Sequence, residues 1–308
     1  MKTQGSRAPP RRDNGSLRDT IPAAWTAARH SCAKAGLRTC ALLRLSGIPM
    51  SAELLTERRG AVLLLTLSDP ATRNALSHAV IAAGIEALNM AEADPELRCV
   101  LLSGAGGHFC AGGNLQGLLE RRRSGPPAQV RMLEHLHQFV EALRVFPKPV
   151  IAAVEGAAAG AGFSLALACD LIVAAEDARF ILSHGRIGLS PDAGATWLLM
   201  QALPRPLVQQ LVWLGEPVTA QQLHAWGVVG SVVDQGHAVD AAQRLAERLA
   251  AMAPNALASG KELVAQAAGR SLAQQLDAER DHFVANLFHA NGAEGLNAFL
   301  EKRPPKFS

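Results

Sequence analysis

Tyrosine is absent from all 308 residues, and nine phenylalanines and four tryptophans supply the whole aromatic content. No phenol is therefore available as acid or base. No basic stripe interleaved with aromatics offers a nucleic acid a surface on which to stack. Charge is sparse as well, at 19% of residues with a net of +3. Long apolar runs are missing: AVLLLTL (61–67) and SLALACDLIVAA (164–175) fall short of the roughly 20 residues that cross a bilayer. The chain is thus read as having neither a nucleic-acid nor a membrane partner. The five cysteines, Cys32, Cys40, Cys99, Cys110 and Cys169, are odd in number and widely spaced, with no C-x-x-C. That excludes a disulfide scaffold and a zinc site and points to a reducing compartment. Cys99 and Cys169 lie in apolar runs and read as packing residues. Cys110 sits in a glycine-rich loop with no base beside it and is read the same way.

What is present is a hydrophobic share of 49%, enough for one globular domain with appendages. Residues 1–50 stand apart. They hold seven arginines (Arg7, Arg11, Arg12, Arg18, Arg29, Arg38 and Arg44) against two acids, Asp13 and Asp19. This composition fits an organellar transit peptide, a disordered tail or a reading frame whose start is Met50. We expect a poorly ordered extension that is dispensable for activity. The location expected is the cytoplasm, or the mitochondrial matrix if the segment is a transit peptide.

Beyond Met50 the pattern alternates. Strands are read at 61–68, 99–106, 149–156 and 170–177, with helices at 78–94 and 127–145. Beyond Pro204 the periodicity is helical (206–214, 219–226, 237–252, 255–268, 271–289 and 292–301), apart from a strand at 228–234. This order predicts an α/β domain followed by helices. RRR (121–123), before SGPP, reads as a solvated loop.

Two glycine-rich turns follow strands: SGAGGHFCAGGNL (103–115) and EGAAAGAGFSL (155–165). Neither has dinucleotide spacing, and no phosphate-loop lysine is present. Tight packing explains such turns; so does a pair of backbone N–H groups aimed at one oxyanion. Spacing admits both. A third segment, HGRIGLSPDAGATWLL (184–199), carries Asp192 at the mouth of a helix, where it is either a plain cap or an isolated acid.

Together these segments resemble the crotonase, or enoyl-CoA hydratase/isomerase, superfamily. The likeness is carried by ATRNALS (71–77), GAGGHFCAGGNL (104–115), FPKPVIAAVEGAAAGAGFSLALACD (146–170), ARFILSHGRIGLSPDAGATWLL (178–199) and the tail at 279–307. Within the family the chain looks most like the isomerases that convert a ring-1,2-epoxyphenylacetyl-CoA to its oxepin. The resemblance implies a ββα spiral core over 53–245, a C-terminal helical oligomerisation region over 246–308, an extension over 1–52, and a homotrimer or dimer of trimers. It implies no permanently bound cofactor; coenzyme A enters as part of the thioester substrate. It places the oxyanion N–H groups on Ala111 and Ala161. Substrate contacts fall on Ala111, Gly112, Gly113, Asn114, Gly160 and Ala161. Arg73 and Lys261 stand where coenzyme phosphates are met.

Two departures matter. The family's hydratases use two glutamates, and those positions hold Ser164 and His184 here. Asp192 coincides with the acid/base of the isomerases. One carboxylate suffices to lift a proton from one carbon and return it to another on the same face. Hydration wants two positioned groups. The sequence therefore favours an acyl-CoA isomerase, with Asp192 catalytic and His184 a pocket-wall or structural residue. The rivals are a hydratase-like lyase using Asp192 or His184, a coenzyme A-dependent dehalogenase or thioesterase, and a non-catalytic acyl-CoA-binding protein.

Overall fold

A computed structural model describes residues 52–308. The expectations for the basic extension, and for Cys32 and Cys40, lie outside the described residues.

The first element is an edge strand, β1 (Glu53–Arg59), antiparallel to β2 (Val62–Ser68). Its sequence, ELLTERR, is too polar to be read as a strand alone; pairing along the full length of β2 forms it. After helix α1 (His78–Ala93) come β3 (Cys99–Gly104), α2 (Leu115–Ser124), α3 (Pro126–Val145) and β4 (Val150–Val154). RRR lies inside α2, a correction to the loop reading. The three arginines occupy the last turn, where cations meet the partial negative charge of the helix end.

Next come β5 (Ala157–Ala159), α4 (Ala161–Ala168), β6 (Leu171–Ala175) and β7 (Arg179–Ile181). A short 3-10 turn spans Ser183–Ile187, followed by α5 (Ala195–Ala202), α6 (Arg205–Leu214), β8 (Val218–Thr219), α7 (Ala220–Ala225) and β9 (Ser231–Val233). Helices α8 (Ala238–Ala250), α9 (Pro254–Ala267), α10 (Leu272–Leu287) and α11 (Ala290–Leu300) complete the chain.

Six strands form one sheet in the order β1-β2-β3-β4-β6-β9, parallel from β2 onward. Three form a second sheet, β5-β7-β8. The chain steps repeatedly from the large sheet to the small one and then into helical structure, as in β4, β5, α4. Bridges Cys110–Ala158 and Leu76–Gly113 extend the small sheet by single residues. This is the expected spiral.

The large sheet is buried on both faces, so its central strands read as continuous apolar runs. Alternate residues serve different partners. Leu65, Val100, Leu102, Val150 and Ala152 join the main core with Phe139, Leu143 and Phe163. Leu64, Cys99, Leu101, Ile151 and Val173 instead meet Ala238, Ala242 and Ala246 of α8. Helix α8 therefore belongs to the core, which runs to residue 250 rather than 245. Helices α9 and α10 bury no residue completely. Helix α10, the residue that follows it and α11 display Phe283, Phe288 and Phe299, which are 68%, 84% and 83% exposed. Among the described residues no helix is long and apolar enough to cross a membrane.

Candidate active site

The two glycine turns meet. Cys110 N–H donates to the Ala157 carbonyl (3.0 Å), and Ala159 N–H donates to that of Cys110 (2.8 Å). A β-carbon built on Gly112 lies 2.6 Å from the Ala159 oxygen and 3.4 Å from the Ala161 nitrogen. Gly112 also has φ of 93°. Only glycine gives both the conformation and the clearance. Cys110 itself is fully buried, and burial pushes its thiol up to about 12. Packing is its role, as expected; Cys99 and Cys169 are buried too.

Which N–H groups remain free is decided by these contacts. In the first turn, Ala111 N–H donates to the Arg73 carbonyl at 3.0 Å. It is committed to the fold, so the expectation that Ala111 supplies the oxyanion donor is corrected. Gly112 N–H points at the Cys110 sulfur, 3.4 Å away. Gly113 N–H has no partner among the described residues. In the second turn, Gly160 N–H donates to Ile181 (2.8 Å), and Ala161, the first residue of α4, has no partner. Helix starts leave such donors unpaired. Gly113, two residues along from Ala111, and Ala161 thus each carry an N–H without a partner among the described residues.

Asn114 spends its side chain on α2, accepting from Gly117 N–H at 2.9 Å. Asn74 was not singled out by the sequence, yet it frames the first turn. Its amide nitrogen donates to the Ala105 and His108 carbonyls (2.9 and 2.7 Å), and its oxygen accepts from Asp69 N–H. Arg73 and Asn74 both take left-handed φ, 54° and 63°. The exposed Arg73 side chain has no hydrogen-bond or ion-pair partner among the described residues.

Asp192 lies in the loop before α5 and is no cap. The capping position of that helix is Gly194, with no side-chain bond. The residue after Asp192, Ala193, holds φ of 51°, a strained value outside glycine. Ser164 reaches across from α4 and donates its hydroxyl to the Asp192 carbonyl at 3.2 Å. His184 faces the carboxylate: Nε2 lies 3.3 Å from Asp192 Oδ1, without the alignment of a hydrogen bond. The same Nε2 would lie 3.4 Å from a β-carbon on Gly160. His184 thus lines the pocket with its ring turned to the Asp192 carboxylate. Asp192, His184, Gly160 and the Ala161 N–H form one cluster.

Lys261 is not free for a phosphate. Its ammonium donates to Asp170 Oδ2 (2.8 Å) and to the Leu143 carbonyl (3.2 Å). Asp170 sits past the C-terminal end of α4, whose eight residues span about 12 Å at 1.5 Å per residue. A cleft of about 500 Å³ opens there, lined by Arg144, Asp170, Leu257, Lys261 and Val264. Its lysine and carboxylate are paired with each other, and Arg144 lies 4.8 Å over the Trp197 ring. This cleft's lysine and carboxylate are therefore committed to each other.

At the N-terminal end of α4 the spiral α/β fold thus gathers N–H groups without a partner among the described residues and the carboxylate of Asp192. Residues 57–308 match the enoyl-CoA hydratase/isomerase family, and the chain belongs to it. It is 40% identical over 251 residues to 1,2-epoxyphenylacetyl-CoA isomerase of Escherichia coli K12, covering 80% of this chain and 95% of that one. It is 36% identical over 255 residues to 2,3-dehydroadipyl-CoA hydratase of the same organism, covering 83% and 98%. Among solved structures, an enoyl-CoA hydratase from Polaromonas sp. JS666 superposes with a TM-score of 0.82 at 54% identity, over 83% of this chain and all of that one.

Proposed function

We propose that the protein is an acyl-CoA isomerase that moves a proton on a thioester enolate. The thioester oxygen takes the Gly113 and Ala161 N–H groups. Asp192 removes the α proton, and the C–H electron pair enters the enolate. The resulting carboxylic acid returns the proton to the γ carbon, giving a 2-enoyl-CoA from a 3-enoyl-CoA. The same hole and acid suit opening of an aryl-epoxide thioester to its oxepin, the chemistry suggested by the isomerase relative. Exposed Arg73 is the cation offered to the coenzyme phosphates. The exposed phenylalanines of α10 and α11 support a homotrimer or a dimer of trimers; light scattering giving a monomer at micromolar concentration contradicts that assembly.

The observation that carries the reading is the set of groups around the hole: one carboxylate, with Ser164 and His184 where a hydratase needs two. A pure acyl-CoA binder has no use for an acid there that caps nothing. The test is a panel of 3-enoyl-, 2-enoyl- and aryl-epoxide-CoA thioesters. Conversion of the 3-enoyl or aryl-epoxide thioester, with little hydration of the 2-enoyl one, is expected. Faster hydration of the 2-enoyl thioester overturns the assignment in favour of a lyase; no turnover of any member favours a binder.

A further inference from the structure

We propose that His184 is a positioning residue that fixes the carboxylate of Asp192 in its working rotamer. This rests on the acid/base reading of Asp192 and adds a part to it. The terminal torsion of an aspartate is broad, so a carboxylate in a loop turns freely unless one oxygen is held. Here both ends of the residue meet a partner. Ser164 Oγ holds the backbone carbonyl at 3.2 Å, and His184 Nε2 stands 3.3 Å from Oδ1.

The surroundings also assign the histidine's proton. Nδ1 of His184 is enclosed and has no partner among the described residues. A proton placed there meets no acceptor, while a proton on Nε2 faces a carboxylate oxygen. The Nε2–H tautomer is therefore the one this site selects. Oδ1 of Asp192 is enclosed too, and His184 is the side chain it faces. Proton transfer with substrate then falls to Oδ2, on the side chain's 30% exposed remainder.

The same geometry removes His184 from direct chemistry. A histidine that activates water needs one nitrogen on the water and the other on its orienting group. In this site Nε2 turns to Asp192 and Nδ1 is enclosed without a hydrogen-bond partner among the described residues. The ring sits on a firm base: the Ser183–Ile187 turn, with the His184 carbonyl accepting from Leu189 N–H at 2.9 Å. The neighbouring cation, Arg186, is spent on the Leu214 carbonyl (3.1 Å). The 3.3 Å separation, not yet aligned, closes to a hydrogen bond when a thioester fills the site, as ligand-free catalytic contacts commonly do.

The experiment follows α-proton exchange of phenylacetyl-CoA in D2O by NMR, with rate at saturation and half-saturating concentration measured separately. His184→Leu removes the donor; the exchange rate at saturation is expected to fall about 10- to 100-fold, the scale of a slightly misplaced catalytic group. Half-saturation should stay within about twofold, because a residue acting through the Asp192 carboxylate alters the proton-transfer step rather than thioester binding. His184→Gln restores an N–H near the Nε2 position, and exchange should return to within about threefold of wild type. Should His184→Leu not fold, His184→Asn replaces it; its shorter amide misses the oxygen and should show the same loss. Wild-type exchange in His184→Leu, or equal loss in His184→Gln, overturns the proposal. Asp192→Asn, run in parallel, separates the two readings: if it keeps exchange, the acid/base assignment itself fails.

Discussion

The two ends of α4, Ala161–Ala168, are built to opposite rules. At the C-terminal end each polar group examined by its neighbours is used. Asp170 accepts from Val150 N–H and Lys261, and its own N–H donates to Val150, all at 2.8 Å. At the N-terminal end the Ala161 N–H, an oxygen of Asp192 and a nitrogen of His184 have no hydrogen-bond partner among the described residues. Polar groups taken from water without a partner cost about 1–3 kcal/mol each. The helix thus carries a structural charge pair at one end and an unfinished electrostatic site at the other.

The comparison breaks if the unpaired end tolerates loss of its donor. Ala161→Pro keeps a residue suited to the first helical position and deletes only the N–H. Turnover should fall by about 10²–10³-fold, the usual effect of removing one oxyanion donor. Steady-state kinetics with a melting curve to show folding decides it; wild-type turnover in a folded variant removes Ala161 from the mechanism.

The paired end should respond in stability and not in chemistry. Lys261→Met removes the partner of a partly exposed carboxylate, at a cost of about 1 kcal/mol on unfolding in urea. Burial already raises the Asp170 pKa, with Lys261 opposing it. Stability from such a group is full below the ordinary aspartate value of about 3.9 and fades as pH rises through the elevated folded value. Losing the lysine raises that value further. The deficit of Lys261→Met should therefore be largest near neutrality and shrink toward pH 4. Turnover of the folded variant should stay within about twofold. A deficit that does not change with pH, or a large loss of turnover, contradicts the division.

Smallest is Ser164→Ala. One neutral hydrogen bond to the Asp192 backbone is worth about 0.5–1.5 kcal/mol, or roughly two- to tenfold in turnover. A thousandfold loss places Ser164 in the chemistry.

Much of this was legible in the residues. The apolar runs of β2, β3, β4 and β6 and the helical periodicity beyond Pro204 gave the architecture, and the three motif segments gave the family. What stayed hidden depends on distant partners. Three adjacent residues, Ala111, Gly112 and Gly113, look interchangeable as donors. Arg73, 38 positions upstream, decides between them by taking the Ala111 N–H. Lys261 looked free because Asp170 lies 91 positions away. Strands β5 and β7 are three residues each, too short to show alternation. The His184–Asp192 approach spans a 3-10 turn and a loop, where no period links the two residues.

The central claim is that the free N–H pair and Asp192 together enolise a coenzyme A thioester. It is tested most directly by α-proton exchange of phenylacetyl-CoA in D2O, comparing wild type with Asp192→Asn and measuring thioester binding by calorimetry. Wild type should exchange the α protons; Asp192→Asn should bind as tightly and exchange about 10²–10⁴-fold more slowly. Equal exchange in the two proteins, or none in a wild type that binds the thioester, contradicts the account.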